Sequence, residues 1–512
     1  MSGTEGAEAY SLRRVLAGSI RFTSRSRANR SQLTRVADVF FAGLVFALLF
    51  AMHSRWVFTH FSSDAYLEDS GWLAYLFESA DPLLHNPSGV NALSFYAHHL
   101  SPHLFLFGAP LSTLFGLTGI QIFAYHQGFF FGLFFLAFYL LAARSGLPRH
   151  DRIAATVFAV LLGAVSNALF QAAAYPHYEI AMMAIVSLAM AAWLAGYRRL
   201  FFLCLLWLPL VREDGGFYAA VACLACVAVT LDRRRPMDPS IRLLMVLALV
   251  GVIASASSLA IKAWFFPGFN AFANNFSGQW WNHVTPAFAW ERVRAMLYNL
   301  NILPVLVGSV ALAVFDRRYI TGLVLLAPVY VLHLLAIRPE HGYFTLYFAL
   351  PWLLPCAIWL AVFVRRSKLS PAAFAERAVF LAVALALSAP MQAAAGVPGQ
   401  FWFVAMWAFQ RPVEDTRDMQ EFVRWARRCL PAPDAQRPNQ GRQCVSQGIA
   451  ALIPNDVRPA DVLAPRDGLR GCHALFLMRG DMHYADLSTR ALAVGFKRMG
   501  SRRNAELWLV AK

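Results

Sequence analysis

The chain has 512 residues, of which 58% are hydrophobic and 14% charged, and its mean hydropathy is +0.49. Soluble proteins carry about 25% charged residues, and here the whole stretch 120–142 carries none, which excludes an ordinary soluble enzyme. The net charge of +16 does not by itself imply nucleic acid, because Lys and Arg of a membrane protein gather in its cytoplasmic loops; no nucleic-acid partner is expected.

Residues 1–35 are mostly polar, hold seven arginines and show no cleavage-like pattern, which predicts a basic cytoplasmic tail. Residues 36–58 form the first apolar run, long enough to cross a hydrocarbon core of about 30 Å as a helix. From Trp56 to Ala143 there is no Lys or Arg, while Asp64, Glu68, Asp69, Glu78 and Asp81 fall early in that stretch. Positive charge stays inside, so the loop 59–102 is expected outside. The segment "SPHLFLFGAPLSTLFGLTG" is apolar but short, and Pro110 and Gly116 break it. It predicts an interfacial helix pair or a re-entrant piece.

Further crossings are expected over 120–142, 153–174, 180–194, 200–211, 217–231, 243–265, 300–314, 320–336, 344–364 and 374–393. That makes about eleven in a membrane domain of residues 36–395. The basic turns "ARSGLPRHDR", "GYRR", "DRRR", "DRRY" and "RRSK" fall at alternate connections and agree on one sidedness. "YPHYE", "REDGG" and "IRPEHGYFTLY" fall at connections on the other side. After residue 396 the composition turns polar, and "RPVEDTRDMQEFVRWARRCL" has charged and apolar faces. Short apolar pieces, "HALFLM" and "AELWLV", follow, so residues 396–512 are expected to form a small extracytoplasmic α/β domain. Cys429 and Cys444 flank a polar loop, where a disulfide would suit an oxidising compartment. Cys204, Cys223, Cys226 and Cys356 lie in apolar crossings and read as small hydrophobes.

The outer connections carry an unusual set of ionisable groups. They are Asp64, Glu68 and Asp69; His98, His99 and His103 in "AHHLSPH"; His177 and Glu179; Arg212, Glu213 and Asp214; and Arg338, Glu340 and His341. Ionisable groups near a membrane are costly and mark functional sites by default. Five separate segments contributing to one face predict a shared polar cavity. The structural alternative is solvated helix ends, with an Arg–Glu pair serving packing alone. His99 and His103 are spaced as metal ligands on one helix face would be, but Pro102 between them favours packed or interfacial histidines, and no metal site is assigned. Tyr175, Trp280 and Trp281 could stack on a sugar or a polyprenyl chain, and equally belong to an interfacial aromatic belt.

The stretch "AYPHYEIAMMAIVSLAMAAWLAGYRRLFFLCLLWLPLVREDGG" resembles the central signature of a bacterial membrane-protein family, domain of unknown function 2079. That signature is a His-x-Glu element opening a crossing and a basic–Glu–Asp element about 35 residues later. "AHHLSPHLFLFGAPL" and "EHGYFTLYFALPWLLP" are similar to its earlier His-x-x-Pro and later His-plus-aromatic segments. The family is grouped with the GT-C glycosyltransferases, multi-spanning enzymes that use lipid-phosphate sugar donors at the outer face. The resemblance implies a GT-C-like fold and a catalytic carboxylate after the first crossing. In "FSSDAYLEDSGW" Asp64 is the nearest match, with Glu68 and Asp69 close by. The stretch is not a strict Asp-x-Asp, so whether a divalent cation takes part stays open.

Glycosyl transfer needs a carboxylate to take the acceptor's proton and cations to stabilise the departing phosphate. Asp64 is the candidate base. Arg212 and Arg338 are the candidate phosphate ligands, because a guanidinium fork matches phosphate oxygens. Glu213 and Asp214 are expected to hold those cations or to take part in catalysis, with Glu68, Asp69, His98, His99, His177, Glu179 and His341 lining the substrate. The expected function is transfer of a sugar from a polyprenyl-phosphate donor to an extracytoplasmic acceptor, by a protein of the bacterial cytoplasmic membrane surrounded by membrane lipids. A transporter or lipid flippase, or a non-catalytic scaffold, would use the same charges differently.

Overall fold

A computed structural model describes residues 32–61, 69–79, 81–85, 94–143, 147–231, 238–267, 282–396, 413–430, 442–453, 461, 463, 468–469, 471–479 and 484–510. The first helices are α1 (Gln32–His60), α2 (Asp69–Glu78), α3 (Pro102–Phe115), α4 (Gly119–Ala142), α5 (Arg149–Val165) and α6 (Asn167–Ala174). They are followed by α7 (Glu179–Ala195), α8 (Arg198–Val211), α9 (Gly215–Thr230), α10 (Pro239–Phe265), α11 (Pro286–Tyr298) and α12 (Leu303–Ala313). The last of the helical region are α13 (Thr321–Leu335), α14 (Pro339–Gly342), α15 (Leu353–Leu369), α16 (Phe374–Leu387) and α17 (Ala389–Ala394). Each expected crossing has a helical counterpart, and this is a multi-pass membrane protein. Among the described residues five helical segments are long and apolar enough to span alone, and the pair α11–α12, bent by 75°, makes a sixth if it counts as one span. Two other expected crossings are broken, at Ser166 and at Ser388.

Residue size explains the inner packing. Helix α7 is rich in Ala and Met, and nearly every side chain from Glu179 to Leu194 is buried. Lipid tails compete for apolar contacts, so membrane helices associate through small residues that let backbones approach. Helices α9 and α10 touch in this way: a Cβ on Gly216 would lie 2.3 Å from the Gly251 carbonyl oxygen. Helix α4 is buried along most of its length. Its first turn is held by the Glu78 carboxylate at the end of α2, which accepts from the Gly119 amide at 2.7 Å. A carboxylate there meets the positive end of the helix dipole.

The C-terminal unit begins with α18 (Val413–Cys429), followed by β1 (Arg442–Val445), α19 (Gln447–Leu452), β2 (Cys472–Met478), α20 (Tyr484–Ala493), β3 (Phe496–Arg502) and β4 (Ala505–Val510). The sheet order is β1-β2-β4-β3, with β1 parallel to β2 and the other pairs antiparallel. The buried Glu506 carboxylate on β4 gathers Arg479, Arg498, Tyr484 and Trp508. The unit sits on the His60 end of α1, where Thr416 donates to the Phe58 carbonyl at 3.1 Å.

The disulfide differs from expectation. Cys444 bonds Cys472, with Cα atoms 5.7 Å apart, while Cys429 is a free, exposed thiol. Strand pairing is the reason: β1 lies against the start of β2, and the pairing puts Cys444 and Cys472 within bridging distance. Nearness in sequence pointed to the wrong partner.

Candidate functional site

Arg212, Glu213 and Asp214 form the corner between α8 and α9. A Cβ on Gly215 would lie 1.9 Å from the Leu208 carbonyl oxygen, so glycine is what allows the chain to fold back this tightly. Arg212 is extended, and its guanidinium pairs both oxygens of Asp214, Nε to Oδ1 at 2.7 Å and Nη2 to Oδ2 at 2.5 Å. Bidentate pairing of this kind fixes orientation as well as charge. The remaining Nη1 pairs with Glu179, whose other oxygen contacts Nδ1 of His177. The two sequence elements of the resemblance therefore meet directly.

Glu213 faces another way. Its Oε1 lies 3.1 Å from Nδ1 of His99 and 3.3 Å from Nζ of Lys262, and its Oε2 accepts from the Leu100 amide at 3.0 Å. Burial alone would raise this carboxyl; the charges of His99, Lys262 and Arg212 overcome that and hold it well below the usual carboxylate range. Lys262 also donates to the His98 carbonyl, so His98 enters the cluster through its backbone.

A wall of rings closes the His177 side. His177 stacks on Tyr347 at 4.5 Å, and Tyr175 lies on the same Tyr347 ring at 6.0 Å. Tyr178 is fully buried beside His177, and its hydroxyl has no hydrogen-bond partner among the described residues. His341 lies within electrostatic reach of Glu179 and Arg212 and packs on Phe348 at 4.0 Å. The loop that carries it is strained, since Phe344 and Leu346 both adopt left-handed backbone, at φ 50° and 55°. Such strain persists only where the surroundings enforce it. Here Asn299 holds the Tyr343 carbonyl at 2.8 Å, and Arg292 holds those of Ala336 and Ile337.

The structure thus brings together His99, His177, Glu179, Arg212, Glu213, Asp214 and His341, with His98 through its carbonyl. Arg338 is exposed on the His341 loop and makes no ion pair among the described residues. Asp64, Glu68, Trp280 and Trp281 lie outside the described residues, as does the side chain of Asp69, the residue that opens α2. His103 belongs to a different network. Trp207 donates to its Nδ1 at 2.9 Å, and its Nε2 lies 2.8 Å from Nε2 of His126. An indole N–H only donates, so Nδ1 of His103 is its accepting nitrogen. Among the described residues no group of three or more His, Cys, Asp or Glu could hold a metal ion.

Sequence reasoning missed Lys262, Tyr178 and Tyr347. Lys262 had a signal: it is the one charged residue in 243–265, near the end of an apolar helix. Tyr178 and Tyr347 had none beyond the aromatic richness of their segments.

No family model matches the chain, and no curated protein does. Among solved structures it is similar to the crystal structure of ArnT from Cupriavidus metallidurans in the apo state. The TM-score is 0.50 at 13% sequence identity, over 93% of this chain and 98% of that one. The fold is GT-C-like. At that identity the likeness speaks for architecture, and what the site does is argued from its own residues.

Proposed function

We propose that the chain is a GT-C-type glycosyltransferase that moves a sugar from a polyprenyl-phosphate donor to an extracytoplasmic acceptor, in the bacterial cytoplasmic membrane with residues 1–35 inside. Kinship with the domain-of-unknown-function-2079 proteins is part of the proposal. The observation that carries it is the Glu179–Arg212–Asp214 and His99–Glu213–Lys262 set, built from four segments at the face bearing the C-terminal unit. Carboxylates, imidazoles and cations are the groups that proton transfer and a departing phosphate require.

The ion pairing refines the roles. Arg212 holds two carboxylates through three of its five N–H groups, so a donor phosphate gains a full two-pronged contact by displacing one carboxylate. Asp214 is the one to yield, with 35% of its side chain exposed against 8% for Glu179. The displaced Asp214 carboxylate is then available to a sugar hydroxyl, and Glu179 keeps the guanidinium aimed. Asp64 stays the proposed base, on sequence grounds. Arg338, exposed and without an ion pair among the described residues, is placed to meet the phosphate from the loop side. A divalent cation is not required by this scheme.

The test is lipid and glycan profiling of a deletion strain, complemented with wild type, Asp64→Asn and Glu179→Gln. The proposal expects one envelope species to vanish on deletion and to return with wild type alone, at matched protein level. Full restoration by both variants would sink it. The transporter alternative draws on the three helix breaks at Ser166, Ser388 and residues 299–302, since broken helices build transport sites. It expects solute flux in vesicles where the transferase expects none.

A further inference from the structure

Three of the helix breaks meet at one place. Ser166, between α5 and α6, bridges by backbone to Ser388, between α16 and α17. The loop at the bend between α11 and α12 joins them: Asn167 Nδ2 donates to Asn301 Oδ1 at 3.2 Å, and Asn301 Nδ2 donates to Gln171 Oε1 at 3.0 Å. Gln392 on α17 donates to the Leu300 carbonyl at 3.2 Å and to the Ala386 carbonyl at 3.1 Å. Irregular backbone at membrane depth is tolerated only where protein or a wet cavity satisfies it. Helix α5 has 17 residues, so the junction lies about 25 Å along that helix from its first turn.

The junction does not balance. Asn167 and Gln392 are 2% and 3% exposed, and among the described residues neither Asn167 Oδ1 nor Gln392 Oε1 receives a hydrogen bond. Gln392 cannot cure this by turning its amide over, because its nitrogen is fixed by two carbonyl acceptors. Gln392 Oε1 is therefore an unmet acceptor, and so is Asn167 Oδ1 in the amide orientations that carry the Asn167–Asn301–Gln171 row. Whatever completes the junction is a cation or a donor. The groups joined here are neutral amides and carbonyls, with no carboxylate among the described residues hydrogen-bonded into them. Hard cations take oxygen ligands, and divalent ones draw on carboxylates for charge. Neutral oxygens at unwound helix ends are the ligands that suit a single positive charge.

We propose that this junction binds a monovalent alkali cation, with Asn167 Oδ1 and Gln392 Oε1 as side-chain ligands. The ion ties α6 and α17 to the bend before α12, and α6 leads through Tyr175 into His177 and Glu179. The site is separate from the transferase cluster and does not depend on that reading.

The test is thermal unfolding of the purified full-length protein in detergent, titrated with NaCl, KCl or N-methylglucamine chloride at constant ionic strength. Sodium or potassium is expected to raise the midpoint saturably, where N-methylglucamine does not. Gln392→Leu is expected to abolish the rise. Asn167→Asp, which adds a charged ligand, is expected to lower the half-saturating concentration about tenfold. That second variant keeps the test open if Gln392→Leu fails to fold. Equal midpoints in all three salts, with no response in Asn167→Asp, would overturn the proposal and leave a water molecule as the occupant.

Discussion

The two faces of the membrane domain handle charge differently. On the face bearing the C-terminal unit, Glu179 meets Arg212, Lys262 meets Glu213 and His99 meets Glu213, pairs 33, 49 and 114 residues apart. On the opposite face Arg318 pairs with Asp316, two residues away. Arg318, Arg365 and Arg366 also donate to the carbonyls of Val229, Thr230 and Phe315, at or just past the C-terminal ends of α9 and α12. Asp151 and Glu376 sit there in the first turns of α5 and α16. Helix dipoles favour acids at first turns and cations at last turns, and both faces obey that. Sign therefore does not distinguish them. Continuity does: the cross-segment pairs of the opposite face, Arg377 with Asp151 at 3.5 Å and Arg366 with Glu376 at 3.4 Å, stand among cations that close helix ends. On the face bearing the C-terminal unit, His177, Glu179, Arg212 and Asp214 form one chain of contacts. Burying charges costs desolvation on either face, and among the described residues only the face bearing the C-terminal unit strings them into one cluster.

Substitutions sharpen that contrast, and the largest effect belongs to Arg212. Arg212→Met leaves the buried Glu179 without its guanidinium, and breaking a buried pair costs about 3–5 kcal/mol. The expected outcome is a strongly lowered unfolding midpoint in detergent, and Glu179→Gln in the same chain is expected to restore part of it. No recovery in the double variant would mean that the two side chains are not partners. Next comes the Cys444–Cys472 disulfide, which closes a 28-residue separation. Removing such a link costs about 2–4 kcal/mol. Cys444→Ser is expected to expose the C-terminal unit to protease while the membrane helices stay folded, whereas Cys429→Ser has no effect.

Glu213 gives a smaller effect with a defined sign. Its folded carboxyl is held below the ordinary value, so its contribution is complete above the unfolded pKa of about 4.3 and is lost as pH falls from there. Glu213→Gln is expected to flatten that acid limb of stability against pH; an unchanged limb contradicts the pairing. The smallest effect is expected on the opposite face. Arg365→Met removes one carbonyl cap, worth about 0.3–1 kcal/mol, and the midpoint is expected to move by no more than a few degrees.

Much of this was legible in the residues. Hydropathy marks each crossing, and the alternation of basic and acidic turns puts His99, His177, Glu179, Arg212 and His341 on one face. The His-x-Glu and Arg-Glu-Asp spacing singles out residues that turn out to bond one another. What stayed hidden depends on three-dimensional pairing. The helix break at Ser166 has no Pro or Gly at that position, so periodicity runs through it, while Pro390 in the first turn of α17 did mark the break at Ser388. Cys444 finds Cys472 because two strands lie parallel, which no local pattern encodes. Arg212 was expected to be held by a neighbouring acid, Glu213 or Asp214, and only the geometry shows that Asp214 and the distant Glu179 share it while Glu213 turns to His99 and Lys262.

The central claim is that groups from separate segments form one working site at one face. The most direct measurement is envelope lipid and glycan profiling of a deletion strain complemented with Glu213→Gln or with Arg365→Met, each at wild-type abundance. The account predicts that Glu213→Gln leaves the missing species absent and that Arg365→Met restores it. Full restoration by Glu213→Gln would contradict it.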